Sequence, residues 1–181
     1  MMGEPMEVSV ALGLLISELS EEPWKGKLIT FSTNPKFHTI TGETLKEKTN
    51  FIRDMEWGMS TDLQKVFDRI LEVAVRGKIP EEQMIKRLFI FSDMEFNQAS
   101  HRSWETDYKV IQRKYKESGY ERVPEIVFWN LRRSKATPVP STEPGVALGG
   151  GRWEEGGVLN PEAVMLAAVA KPEYDTLVIY D

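Results

Sequence analysis

Leu88 to Phe91 are apolar without a break, and the run "RLFIFS" ends on Ser92, Asp93 and, two residues on, Glu95. A short, β-prone apolar run bounded by polar residues predicts a strand covered on both faces, and such strands belong to parallel sheets flanked by helices. "PEIVFWNL" (124–131) has the same character, and "TLVIYD" (176–181) repeats it on a smaller scale. In open parallel sheets ligands bind beyond the carboxyl ends of the strands, which is where Ser92, Asp93 and Glu95 stand. Asp93 is equally suited to capping a following helix or turn.

Between these strands the apolar spacing turns helical. Leu63, Val66, Phe67, Ile70, Leu71 and Ala74 mark one face of a helix over 60–77, with Gly77 as its stop. Trp104, Tyr108, Ile111 and Tyr115 form a second stripe that closes at Gly119. Residues 5–19 predict a helix with Pro5 in its first turn and apolar side chains on nearly every side, hence deep burial. "GKLITFST" (26–33) reads as a strand, "KFHTITG" (36–42) as an edge strand or hairpin arm, and "GVALGG" (145–150) as a further strand. Short helices are predicted over 43–55 and 80–87, and another after Asn160 with Pro161 in its first turn. Residues 132–144 and 149–157 read as loops. The alternation predicts one α/β domain over 1–181, a three-layer fold with a mostly parallel sheet between helices.

Composition narrows the function. The 181 residues carry a net charge of −5, which gives no general attraction to nucleic acid or anionic membrane. There is no cysteine, which removes thiolate chemistry and fits a reducing, intracellular, cytoplasmic setting. The longest apolar stretch, "VALGLLI", is too short to span a bilayer, so no membrane partner is expected. Zinc is not expected, because His38 and His101 stand alone and read as ordinary surface or packing residues. The five tryptophans read as packing residues. Ser92, Asp93 and Glu95, then Ser60, Thr61 and Asp62 in "GMSTDL", and Asp181 offer hard oxygen donors for a divalent cation such as Mg²⁺, Mn²⁺ or Ca²⁺.

"GMSTDLQKVFDRIL" followed by "RLFIFSDMEF" resembles the second and third loops of a von Willebrand factor A domain. The wider wording, from "EPMEVSVALGLLISELSEEPWKGKLITFS" to "YDTLVIYD", resembles a mainly plant family known as domain of unknown function 2828. That resemblance implies a metal-ion-dependent adhesion site in which Thr61 supplies a hydroxyl oxygen and Asp93 a charge. It also implies a first, central strand ending in Asp-x-Ser-x-Ser, between "LITFS" and "LFIFS"; this sequence begins with residues similar to those just after that motif. A second departure is "GGRWEEGG", where the family has an apolar segment. The expectations are a truncated domain and a cation that is weakly held or absent. "TLVIYD" is expected at the sheet edge, with the vacant central slot as its alternative place, and exchange of that strand between copies would give a homodimer.

The expected function is a protein-interaction module with an incomplete cation site and a protein partner of unknown identity. One competing class is a Mg²⁺-dependent phosphoryl-transfer or hydrolytic enzyme using Asp62, Asp93 and Glu95, for which the sequence offers no phosphate loop or nucleophile elbow. The other is an RNA-binding accessory domain, suggested by the basic "RRSK" at 132–135 and by analogy alone.

Overall fold

The computed structural model describes residues 4–30, 34–55, 63–92, 104–130, 146–149 and 176–180. In chain order these form α1 (Glu4–Leu19), β1 (Lys27–Thr30), β2 (Lys36–Thr39), α2 (Leu45–Arg53), α3 (Leu63–Gly77), β3 (Arg87–Ser92), α4 (Trp104–Glu117), β4 (Glu125–Asn130), β5 (Val146–Gly149) and β6 (Thr176–Tyr180). A single 3-10 turn, Glu81–Gln83, stands where a short helix over 80–87 was predicted. The expected helix after Asn160, the loop 132–144 and residues 150–157 of the second loop lie outside the described residues.

The strands make one six-stranded sheet in the order β2-β1-β6-β3-β4-β5. β2 pairs with β1 antiparallel and sits at the edge, and the other four pairings are parallel. The edge position expected for "TLVIYD" is therefore corrected. β6 lies between β1 and β3, with Val178 opposite both Leu28 and Phe89, and Ile179 opposite both Ile29 and Ile90. An apolar strand tolerates either place, but here both of its ladders of N–H and C=O groups are satisfied by protein.

Alternation along the strands divides the core. Ile29, Leu88, Ile90, Ile126 and Phe128 pack with Val66, Phe67, Ile70 and Ala74 of α3 and Ile111 and Tyr115 of α4. Leu28, Phe89, Phe91, Val127 and Trp129 pack with Val10, Leu12, Leu14 and Ile16 of α1 and Ile52 of α2. Successive strand residues thus face opposite clusters, as the period of two requires, and the strands need apolar residues at every position. The helix stripes read from the sequence are the buried ones: Val66, Phe67, Ile70, Leu71 and Ala74 are all buried, as are Ile111 and Tyr115. On α1 the exposed positions reduce to a narrow strip that includes Glu7, Leu15 and Leu19. Trp24 and Trp129 are core residues, and the Trp24 indole donates to the Gln83 carbonyl at 2.7 Å.

Surface pairs tie the helices together. Lys48 pairs with Glu18 and Arg53 with Glu7, joining α2 to α1, and the Lys114 ammonium sits 2.7 Å from Asp68 Oδ1, joining α4 to α3. Each such exposed pair contributes roughly 0–1 kcal/mol, so they orient the helices more than they hold them. α2 begins at a capping box, in which the Thr44 hydroxyl accepts the Glu47 N–H and the Glu47 carboxylate accepts the Glu43 and Thr44 N–H groups. Those backbone donors, Thr44 first, hold the Glu47 carboxyl below its usual range. Gly42 precedes the box at φ +124, where an added Cβ would lie 2.7 Å from that of Glu47, so only glycine fits.

α3 ends one residue later than its glycine suggests. Gly77 is the last helical residue, and Lys78 takes the left-handed conformation at φ 49. The Ile79 N–H then closes on the Ala74 carbonyl at 2.9 Å. A side chain in that region costs roughly 1–2 kcal/mol, partly offset by the entropy a glycine loses on folding. Lys78→Gly is therefore expected to stabilise the protein by about 0.5–1 kcal/mol, read as a shift in the denaturant midpoint at constant m-value. An unchanged or lowered midpoint would contradict the strain.

Candidate functional site at the carboxyl ends of the central strands

Because β1, β6, β3, β4 and β5 run parallel, their carboxyl ends lie on one side of the sheet. The register keeps those ends level: Thr30 is opposite Tyr180, Tyr180 opposite Phe91, Phe91 opposite Trp129, and Ser92 opposite Asn130. Neighbouring strands stand about 4.8 Å apart. β3 thus leads through Ser92 towards Asp93, and β6 through Tyr180 towards Asp181, from adjacent places in the sheet.

α3 bears on the same side. Its 15 residues span about 22 Å at the helical rise. Its last residue leads through 78–86 into the start of β3, so it runs back along the sheet and its first turn belongs to the carboxyl side. Thr61 and Asp62 immediately precede that turn in sequence.

Of the residues singled out in the sequence, Ser92 is described as the last residue of β3. Thr61, Asp93, Ser60, Asp62, Glu95 and Asp181 lie outside the described residues, as do His101 and "RRSK". Among the described residues no group of three or more His, Cys, Asp or Glu side chains converges as a metal site would.

Thr30 is a residue that sequence reasoning passed over. It is buried at the carboxyl end of β1, and its Oγ1 lies 3.3 Å from Nε2 of His38 on β2. His38 is therefore not isolated, which corrects the expectation. The contact runs diagonally across the hairpin, since His38 is opposite Leu28, and only the strand register creates it. The available signal was a hydroxyl closing the apolar "LIT" run.

At the other end of the sheet a cavity of about 570 Å³ is lined by Glu81, Met84, Ile85, Arg87, Arg122 and Glu125, among others. Three of its charged groups, Glu81, Arg87 and Glu125, are engaged internally. Arg87 Nε donates to Glu125 at 2.8 Å, and the Glu81 carboxylate accepts the Glu121 and Arg122 N–H groups at 3.2 and 3.0 Å. Nearby, Tyr115 and Tyr120 are structural. Burial pushes the phenol of Tyr115 well above its ordinary range, and that of Tyr120 upward too. The Tyr120 hydroxyl donates to the Ile79 carbonyl at 2.8 Å. None of these groups is arranged as an acid–base pair.

Fold and strand ends together define an α/β protein whose candidate site lies beyond its central parallel strands. The chain belongs to the family described as Domain of unknown function (DUF7788), which matches residues 1–155. It is also 43% identical over 140 residues to "Uncharacterized protein L728" of Acanthamoeba polyphaga mimivirus, an alignment that covers 77% of this chain and 24% of that protein. The chain thus spans about a quarter of the length of the curated relative it matches. No solved structure matches it.

These findings overturn the resemblance to domain of unknown function 2828 and to von Willebrand factor A domains. The family matched is a different one, and the relative found is viral rather than plant. The physical reason is that hydroxyl and acidic residues after apolar strands are what parallel sheets in general carry at their carboxyl ends. "S-T-D" and "F-S-D" therefore mark a place in an α/β sheet without discriminating between families. No helix among the described residues is long and apolar enough to cross a membrane.

Proposed function

We propose that this chain is an interaction module with a three-layer α/β architecture, and that it presents a weak divalent-cation site to a protein partner beyond β6 and β3. One observation carries the reading: β6 occupies the centre of the sheet in register with β3, so Asp181 and Asp93 follow adjacent strands that end level. Two carboxylates from neighbouring parallel strands, with hydroxyls from Ser92 and Thr61, make an all-oxygen donor set suited to Mg²⁺ or Mn²⁺. Two like charges following adjacent strand ends would repel each other, which a cation would relieve. Such a set leaves coordination positions to water or to a partner's carboxylate, as Mg²⁺ prefers six oxygens and gives up water reluctantly.

Titration calorimetry with Mg²⁺ and Mn²⁺ tests this. Weak saturable binding is expected for the parent chain, lost in Asp93→Ala and strongly reduced in Asp181→Ala, with unfolding midpoints preserved. Binding that survives both substitutions would refute the site.

A further inference from the structure

The cavity at the amino end of the sheet has fixed walls and two charges without partners. It lies where β3 and β4 begin, against the turn Glu81–Gln83. Its volume, about 570 Å³, falls within the range of small-molecule sites, roughly 300–1,000 Å³. Internal bonds hold the walls. The Glu81 carboxylate accepts the Glu121 and Arg122 N–H groups, Arg87 pairs with Glu125, and the Glu125 N–H donates to the Lys86 carbonyl at 2.9 Å. Met84 and Ile85, both nearly buried, and half-buried Val123 supply apolar lining. Lys86 has further contacts of its own. One acid and one base remain. Glu82 and the guanidinium of Arg122 line the cavity, are exposed, and have no hydrogen-bond or ion-pair partner among the described residues, each other included.

We propose that this cavity binds a short apolar peptide with both termini free, its ammonium on Glu82 and its carboxylate on Arg122. The two side chains have opposite signs and do not pair with each other, so a ligand that satisfies both carries a cation and an anion with a body between them. A free amino acid holds its two charges on one carbon and fills little of such a cavity, whereas a peptide separates them along a chain. The lining of Met84, Ile85 and Val123 favours an aliphatic body. The planar guanidinium fork matches the two oxygens of a carboxylate, and Arg122 is anchored for this by its own N–H, bonded to Glu81 at 3.0 Å. A ligand lying between the two charges also excludes water, which strengthens both contacts. The site is independent of the cation reading, since it lies at the other end of the sheet and shares no residue with it.

Calorimetric titration of the full chain with leucyl-leucine, without added metal, tests this. Saturable binding is expected. Acetylating the amino terminus of the dipeptide removes its cation, and amidating the carboxyl terminus removes its anion; each change should weaken binding by about tenfold or more, as for a lost charge-assisted hydrogen bond. The substitutions assign the ends. Arg122→Gln should weaken the free dipeptide to the level of its amide and leave the affinity of the amide unchanged, and Glu82→Gln should do the same with the acetylated form. Both side chains are exposed and unpartnered, so urea midpoints of the variants should match that of the parent, which separates loss of the site from loss of the fold. No saturable binding of leucyl-leucine to the parent, blocked forms that bind as well as the free dipeptide, or binding indifferent to both substitutions would each overturn the proposal.

Discussion

Removal of residues 176–181 is expected to abolish cooperative folding. β6 faces β3 over five register positions and β1 over three, so its loss strips hydrogen-bond partners from two other strands at once. Those strands are not at a wetted edge: Leu28, Ile29 and Ile90 are fully buried, and Phe89 nearly so. Each backbone group left buried and unpaired costs about 1–3 kcal/mol. Several of them exceed the net stability of a domain, roughly 5–15 kcal/mol. α1 also packs over β6 and would lose its support. Far-UV and near-UV circular dichroism through a urea titration should show no sigmoidal transition for the shortened chain. A shortened chain with an unchanged midpoint and m-value would show that β6 is dispensable.

The second large effect is expected at Phe91. Its ring is fully buried on the α1 side of the sheet, 6.3 Å from the Phe89 ring and 6.1 Å from that of Trp129. Truncation there removes a large apolar side chain and leaves a cavity in a strand too constrained to collapse, so Phe91→Ala should cost about 3–5 kcal/mol. Phe91→Leu, closer in volume, should cost distinctly less. Equilibrium denaturation of the three proteins measures both, and equal costs for Ala and Leu would mean that the site is not packed as described. Because Phe91 directly precedes Ser92, the alanine variant should also weaken any cation binding beyond β3.

The sequence was most legible where one local period decides the structure. The α3 stripe from Val66 to Ala74, the continuous apolar runs of β3 and β4, and the burial of α1 on all but one narrow strip follow from spacing alone, because each apolar face must meet a core. Lateral order is different in kind. "TLVIY" says that a strand is covered, but its partners are Leu28 and Phe89, far away in the chain, and no local pattern encodes that choice. The same holds for Thr30 and His38, which meet only through the hairpin register. At the end of α3 a local signal was present and misled: Gly77 advertises the left-handed stop, yet Lys78 adopts it. The candidate site was legible as a location beyond the parallel strands, and illegible as a family mark, because acidic residues gather at such ends in many unrelated sheets.

The central claim is that β6 lies inside the sheet, and native-state hydrogen exchange tests it most directly on the unaltered chain. A strand bonded on both sides can exchange only when the whole sheet opens. The amides of Leu177, Val178 and Ile179 should therefore fall in the slowest class, together with those of Phe89 and Ile90, and well below those of the edge strand Lys36–Thr39. Exchange of Leu177–Ile179 as fast as that edge strand would contradict the account.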